Sequence, residues 1–454
     1  MGWIVDWRGL SLQRRPAWMR LFLQTLGRNR VFASYAAVSD IFDRPADFQN
    51  GYTIAPKAKL GTFLLSLDVG PRHTREKRAL KRAIEKPFET RFAQIAERES
   101  WAMVATLKTG PGETIELGSA FAERVFIRTL AQYFGIPLEG WHSEHLGTPS
   151  GERTLALFIR MLGATIGSSA SPAPFGLEEL AGLLTPEFEA QLTAVIDRHG
   201  PTDPESVIGY IVDPRPGAGD KQAARDVLED AKFVQQDGLT RSIGGLMCAG
   251  AGFPKAFCHA LHELLAHGRL RELAEQARAP NLDEVAWRTL VRSYVLEALR
   301  FRPVFPVLQR YCPRPASAAG REIAAGSTIA FSPLGAMFDR THVDRPDEFR
   351  PGRPDHNYFV FGGGSRACLG QQMMLALCPP MLLALLRSFP ELERAAPGTF
   401  EYDTTALESY TLQLPERADL EELPPRSFER HGAHEELRPS RTPAPVGAAR
   451  RRMP

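Results

Sequence analysis

The stretch at residues 361–370, F-G-G-G-S-R-A-C-L-G, constrains the fold more than any other part of this 454-residue chain. Three consecutive glycines permit tightly turned or left-handed backbone, and the apolar run at 373–377 predicts the start of a helix. The N–H groups and the positive dipole end of that helix favour an anionic sulfur on Cys368. The pattern therefore indicates a thiolate metal ligand, and a small buried thiol beside a glycine turn is the alternative.

Composition narrows the classes of protein that remain. Hydrophobic residues make up 43% and charged residues 24%, as in ordinary globular proteins, and the net charge of +2 gives no reason to expect nucleic acid as a partner. Five cysteines without close paired spacing indicate neither a disulfide framework nor a zinc site, and they favour the cytoplasm. Charged residues interrupt the N-terminal apolar runs, so we expect neither a signal peptide nor a membrane span.

The Cys368 stretch resembles the haem-binding loop of the cytochrome P450 family, F-x-x-G-x-x-x-C-x-G. It matches at Phe361, Gly364, Cys368 and Gly370, and Arg366 fits the basic residue that the family commonly has two before the cysteine. The resemblance implies that Cys368 is the axial ligand of a haem b iron. It also implies that the other four residues lie at the cofactor.

Two further motifs precede this loop in the family's order. Glu297 and Arg300 lie at i, i+3 on a predicted helix and resemble the family's E-x-x-R. Residues 346–353 match P-x-x-F-x-P-x-R, and the resemblance implies that Arg353 joins Glu297 and Arg300 in a buried triad. An isolated E-x-x-R is common on surface helices, so the order and spacing of all three motifs support the resemblance.

A basic helix start at residues 71–78 resembles the family's H-T-x-x-R segment, which binds haem propionates. His73 matches, whereas Lys77 stands where arginine is usual and Arg78 is displaced by one position. The resemblance implies that His73 and Lys77 contact the cofactor, as does Arg310 further along the chain. A solvated basic helix face is the alternative.

The distal helix of the family carries A/G-G-x-D/E-T, and residues 249–253 give the best match here. In that register Gly250, Gly252 and Phe253 occupy the catalytic positions, with Gly252 replacing the acid and Phe253 the alcohol. Pro254 has no N–H for the Gly250 carbonyl, so we expect a kink that leaves this carbonyl free. A shifted register that uses Asp237 and Thr240 is the alternative.

The resemblance covers roughly residues 30–415 and implies a mainly α fold with a smaller β region (α+β). We expect a single domain over 1–420 and a disordered tail over 421–454, which is rich in proline, arginine and glutamate. Apolar spacing with a turn near Gly326 predicts a hairpin over 320–331.

The implied function is that of a cytoplasmic haem-thiolate monooxygenase acting on a hydrophobic small molecule, with electrons from NAD(P)H through a ferredoxin or reductase. A basic face would suit an acidic redox partner, and it comprises Arg72, Arg75, Lys77, Lys81 and Arg82, with Arg366. Because the distal acid and alcohol are replaced, a peroxide-driven oxygenase or a lipid hydroperoxide isomerase or dehydratase is a second reading. A non-catalytic haem-binding protein is a third.

Overall fold

The computed structural model describes residues 31–50, 63–85, 91–107, 114–149, 151–167, 177–199, 203–214, 221–402, 408–415 and 417. The chain divides into one unit from Met1 to Ala418 and a second from Asp419 to Pro454, and all described residues belong to the first. The tail predicted over 421–454 and the N-terminal stretch 1–30 lie outside the described residues.

Helices carry most of the described chain. They are α1 Tyr35–Asp43, α2 Pro71–Glu85, α3 Ala93–Ala105, α4 Glu123–Phe134, α5 Glu152–Gly167, α6 Leu177–His199, α7 Val207–Val212, α8 Lys221–Ala249, α9 Gly252–Ala266, α10 Leu270–Ala277, α11 Glu284–Phe301, α12 Pro333–Ala336 and α13 Gln371–Ser388. Local chemistry sets several ends: Asp283 accepts hydrogen bonds from the first N–H groups of α11, and α4 ends at left-handed Gly135.

The main core lies where α13 packs against α3 and α11, and where α11 packs against α9. Their apolar side chains recur at helical spacing and are buried on the shared faces. Within the described ranges, no helix combines the length and apolar character that crossing a bilayer requires. The predicted class, mainly α with a smaller β region, is confirmed.

The strands are β1 Val31–Phe32, β2 Thr114–Glu116, β3 Leu308–Cys312, β4 Ala316–Ala318, β5 Arg321–Ile323, β6 Ser327–Phe331, β7 Thr399–Tyr402 and β8 Glu408–Gln413. They form a sheet in the order β1-β6-β3, a second in the order β2-β8-β7, and the pair β4-β5.

The hairpin predicted over 320–331 is wrong. β5 pairs with β4 across a two-residue turn, where Ala319 and Gly320 both have positive φ (47° and 71°), the geometry of a tight hairpin. β6 instead pairs antiparallel with β3 and parallel with β1. The turn at Gly326 therefore connects two different sheets.

The distal segment consists of α8 and α9, with a kink at Gly238 inside α8 (φ 121°) and a break between Ala249 and Gly252. The kink expected beside Pro254 is therefore present. The Gly250 carbonyl, however, accepts a hydrogen bond from the N–H of Phe253 at 2.8 Å. The expectation of a free carbonyl is wrong, because the backbone tightens into an i+3 bond where the proline cannot supply the i+4 donor.

Packing against aromatic rings explains two of the glycines in this segment. A Cβ at residue 250 would lie 2.6 Å from Cζ of Phe126, and one at residue 245 would overlap the ring of Phe63. Both rings are almost fully buried, so neither can move aside cheaply. By contrast, a Cβ on Gly252 would meet only Cγ1 of Val304, at an ordinary 3.7 Å.

We predict that Gly250→Ala lowers the free energy of unfolding by about 1–3 kcal/mol, the usual cost of overpacking a core. Gly252→Ala is the matched control, since its added methyl group makes only an ordinary contact with Val304 and should change stability by less than about 1 kcal/mol. Urea unfolding of the two variants checks this, and equal stabilities would contradict the packing account.

A buried polar cluster joins α9 to the end of α11 and to the β7–β8 pair. Nε of Arg302 donates to Oε1 of Glu263 at 2.8 Å, and the guanidinium carbon lies 4.6 Å from the centre of the Phe400 ring. His262 is beside them, with Nε2 3.4 Å from Nη2 of Arg302. Burial first, and then the charge of Arg302, lower the pKa of His262 from 6.5 to about 4.

Because the folded chain resists protonation of His262, the unfolded chain binds more protons between pH 6.5 and about 4. The free energy of unfolding should therefore fall as pH falls through this window. His262→Gln should make the pH dependence shallower, whereas His356→Gln, at an exposed position, should not. Urea unfolding at a series of pH values tests this, and an unchanged slope for His262→Gln would refute it.

Candidate functional site

The backbone of residues 361–370 folds back on itself and presents Cys368 at the start of α13. The N–H of Cys368 donates to the carbonyl of Phe361 at 2.9 Å, and a single 3-10 turn over Gly364–Arg366 lies between them. Gly364 has positive φ (59°), and a Cβ there would lie 2.5 Å from the carbonyl oxygen of Phe42. Only glycine fits this close approach.

Cys368 is exposed to solvent, although many protein atoms surround its sulfur. Burial raises the pKa of this thiol. The N–H groups of Gly370 and Gln371, together with the charge of Lys77, act in the opposite direction. The sequence pattern identified the stabilising donors, but it did not register the cost of burying the sulfur.

Three basic side chains predicted at the cofactor meet beside this loop. Nζ of Lys77 donates to the carbonyls of Ser365 and Ala367 at 2.8 and 2.9 Å. Nη2 of Arg366 lies 3.5 Å from Oδ1 of Asp68. His73 is buried, and burial followed by the charges of Arg366 and Lys77 lowers its pKa to about 4, so the imidazole is neutral at pH 7.

Arg310 lies on β3 and is buried. Its Nη1 donates to the carbonyl of Gln309 at 2.7 Å, and its guanidinium carbon is 5.3 Å from the centre of the Phe331 ring. Its predicted contact with a propionate stays a prediction.

Glu297, Arg300 and Arg353 are brought together in the interior. The carboxylate accepts two hydrogen bonds from Arg300, at 3.0 and 2.8 Å, and one from Nε of Arg353 at 3.1 Å. Glu297 and Arg300 have no exposed surface, and Arg353 is 6% exposed. Burial lowers the pKa of Arg300, and the hydrogen bonds that Arg300 donates to Glu297 oppose this effect.

Sequence reasoning missed two further donors to Glu297. The hydroxyl of Tyr358 donates to Oε2 at 3.2 Å, and the N–H of Arg350 donates to Oε1 at 2.8 Å. Tyr358 could have been found, because a tyrosine in the apolar run Y-F-V-F needs a partner for its hydroxyl. It links the buried triad to the strand-like segment that enters the Cys368 loop.

On the distal side, the predicted catalytic positions have the following neighbours. Gly252 faces Val304. The ring of Phe253 packs 5.3 Å from the ring of Phe126, and its Cζ would lie 2.7 Å from a Cβ on Gly370. Phe253 therefore reaches the helix that follows Cys368. Gly250 packs against Phe126 and has no side chain to offer.

These residues fit a haem cofactor. Cys368 offers one exposed sulfur, which would supply the single thiolate ligand of a haem iron. Basic groups at the edge of the loop suit the propionate carboxylates, and Phe253 and Val304 supply apolar surface. In this arrangement Cys368 would hold haem b, and the basic residues His73, Lys77 and Arg366 lie beside the cysteine loop.

Comparisons with known proteins point the same way. A family model described as Cytochrome P450 matches residues 268–394. Steroid 21-hydroxylase of Canis lupus is 31% identical over 160 residues, which are 32% of this chain and 32% of that protein. The chain thus aligns with about a third of the length of the curated steroid hydroxylases.

Two other matches extend over more of the chain. Cytochrome P450 137 of Mycobacterium tuberculosis is 24% identical over 388 residues, 81% of this chain and 76% of that protein. The crystal structure of CalO2 gives a TM-score of 0.63 at 16% identity, covering 91% of this chain and 99% of that one. At that identity, the structural likeness shows the fold.

We predict that Glu297→Gln lowers the free energy of unfolding by about 3–5 kcal/mol, because it leaves two buried guanidinium groups without their counter-charge. Glu348→Gln is the control: its carboxylate pairs with Arg345 at 3.1 Å, but both side chains are more than half exposed. Its loss should stay below about 1 kcal/mol. Equal losses in urea unfolding would rule out a special role for the buried group.

Proposed function

The chain belongs to the cytochrome P450 family, and we propose that it is a monooxygenase that inserts one oxygen atom from dioxygen into a hydrophobic organic molecule. The observation that carries this proposal is the exposed Cys368 sulfur, whose anionic form is favoured by the N–H groups of Gly370 and Gln371 and by the charge of Lys77. Haem b, when bound there, supplies the redox chemistry, and a thiolate ligand favours O–O cleavage.

Two sets of residues would have different roles, one set beside Cys368 and the other on the distal side. Cys368 would bind the iron of the haem, and the turn over Gly364–Arg366 would hold the sulfur in place. His73 and Arg366 suit the propionates at the edge. On the distal side, the apolar side chains of Val304 and Phe253 would exclude water and favour an apolar substrate.

Proton delivery is where this chain differs from the family pattern. In the proposed register Gly252 and Phe253 provide neither a carboxylic acid nor a hydroxyl group, so a proton must arrive through water. This feature favours a second candidate function, in which a peroxide or a lipid hydroperoxide is the oxidant and no external electrons are needed.

A ferredoxin or reductase would deliver electrons to the monooxygenase in the cytoplasm. The basic surface proposed for this partner is partly neutralised, because Arg75 and Arg82 lie 3.4 and 2.9 Å from the buried carboxylate of Asp230. Lys81 is 3.5 Å from Glu85. Arg72 is exposed and suits an acidic partner.

We predict that the reduced protein with carbon monoxide shows the red-shifted absorption of thiolate-ligated haem, and that Cys368→Ala abolishes it. Cys378→Ala, also on α13 but buried in the core, should keep it.

A panel of lipids, terpenes and polyketides is then incubated with NADPH, ferredoxin and reductase, or with peroxide or a fatty-acid hydroperoxide alone.

Product that requires NADPH and the partners supports the monooxygenase, and product with peroxide alone supports the second candidate. Substrate binding without product in either mixture contradicts both and indicates a non-catalytic haem protein.

A further inference from the structure

The side chain of Lys77 contacts the loop that carries Cys368. Its Nζ donates to the carbonyl of Ser365 at 2.8 Å and to the carbonyl of Ala367, the residue before the cysteine, at 2.9 Å. A lysine ammonium has three donors, so two of them are committed to the loop backbone. The resemblance to the family implied instead a contact between this side chain and a haem propionate.

The helix that carries Lys77 is fixed on its other faces. Arg78 donates to both oxygens of Asp230 on α8, at 2.5 and 2.7 Å, and Arg82 adds a third bond at 2.9 Å. Glu76 and Ser242, both buried, are joined at 3.0 Å. Lys77 therefore extends from an anchored helix, unlike a solvated lysine that samples many rotamers.

Arg78 is the arginine that is displaced by one position from the family pattern. It cannot supply the cofactor contact that the pattern assigns to an arginine. Its guanidinium forms a two-pronged ion pair with a carboxylate that is 2% exposed, and it belongs to the α2–α8 contact. Lys77, by contrast, directs its charge at the Cys368 loop. Lys77 therefore contacts the cysteine loop, whereas Arg78 contacts α8.

The charge of Lys77 acts on the sulfur. Burial lowers the pKa of Lys77, and the Cys368 thiolate opposes that effect. Lys77 in turn favours the anionic form of the sulfur. A cation held this close stabilises extra negative charge at a thiolate and draws electron density away from its ligand bond.

We propose that Lys77 is a positioning residue for Cys368, which holds the cysteine loop through two backbone carbonyls and sets the reduction potential of the haem by its charge. This inference rests on the proposed haem-thiolate site. It departs from the propionate contact that the resemblance implied for this position.

The test compares purified haem-loaded Lys77→Met, Lys77→Gln, Lys77→Arg and Lys81→Met with the unmodified chain. The methionine variant removes charge and donors, the glutamine variant keeps a donor, and the arginine variant keeps both. Lys81 lies one turn further along α2, is exposed and pairs with Glu85, so its variant is the control. The readouts are the midpoint reduction potential and the fraction of carbon monoxide complex with the red-shifted band.

We expect Lys77→Met to shift the equilibrium toward ferric haem by three- to tenfold, which is up to about 59 mV for a one-electron couple. The red-shifted fraction should fall as well. Lys77→Gln should shift the potential in the same direction while retaining more of that fraction. Lys77→Arg should restore most of both values, and Lys81→Met should match the unmodified chain.

A normal potential and a normal spectrum in both Lys77→Met and Lys77→Gln would overturn the proposal, as would an arginine variant no better than methionine. If Lys77→Met does not retain haem, the glutamine and arginine variants decide, because they differ in charge and both can donate hydrogen bonds. Absence of the red-shifted band in the unmodified chain would instead refute the proposed function, so the two failures are distinguishable.

Discussion

Two guanidinium groups and a carboxylate are buried together around Glu297, and burying such charges costs several kcal/mol per ion unless each is fully paired. Here the hydrogen bonds also involve groups other than the three charged side chains. Arg300 also donates to the carbonyls of Met337 and Glu348, at 3.1 and 3.2 Å, and Tyr358 brings in the segment that leads to Cys368. One carboxylate therefore fixes α11, the loop of residues 344–353 and the approach to the cysteine relative to one another.

The parts of the site that could be predicted from sequence are those whose geometry is local. Glu297 and Arg300 meet because residues three apart share a helix face, and the glycines beside Cys368 require a turn whatever surrounds them. Arg353 lies 56 positions from Glu297. Its meeting with Glu297 was expected only through resemblance to a family, since no rule of spacing brings two such distant residues together.

The other parts of the fold and of the site could not be predicted from sequence, because they depend on which groups lie close together in the folded chain. The hairpin expected at 320–331 was wrong because β6 finds better partners in β3 and β1, and sheet pairing is a tertiary choice. The Gly250 carbonyl found a donor three residues on, and Lys77 found backbone carbonyls of a loop almost 300 positions away. Each of these outcomes depends on which group lies nearest in space, and hydrophobic periodicity carries no such information.

The packing of aromatic rings against the glycines of the distal segment limits which substitutions this chain can accept. The ring of Phe63 occupies the space beside Gly245, and the ring of Phe126 occupies the space beside Gly250. A larger residue on one side fits only if its partner becomes smaller, because a packed interior does not stretch to hold both. Each pair therefore behaves as a single steric unit, and neutral drift at these positions has to proceed by coordinated exchange.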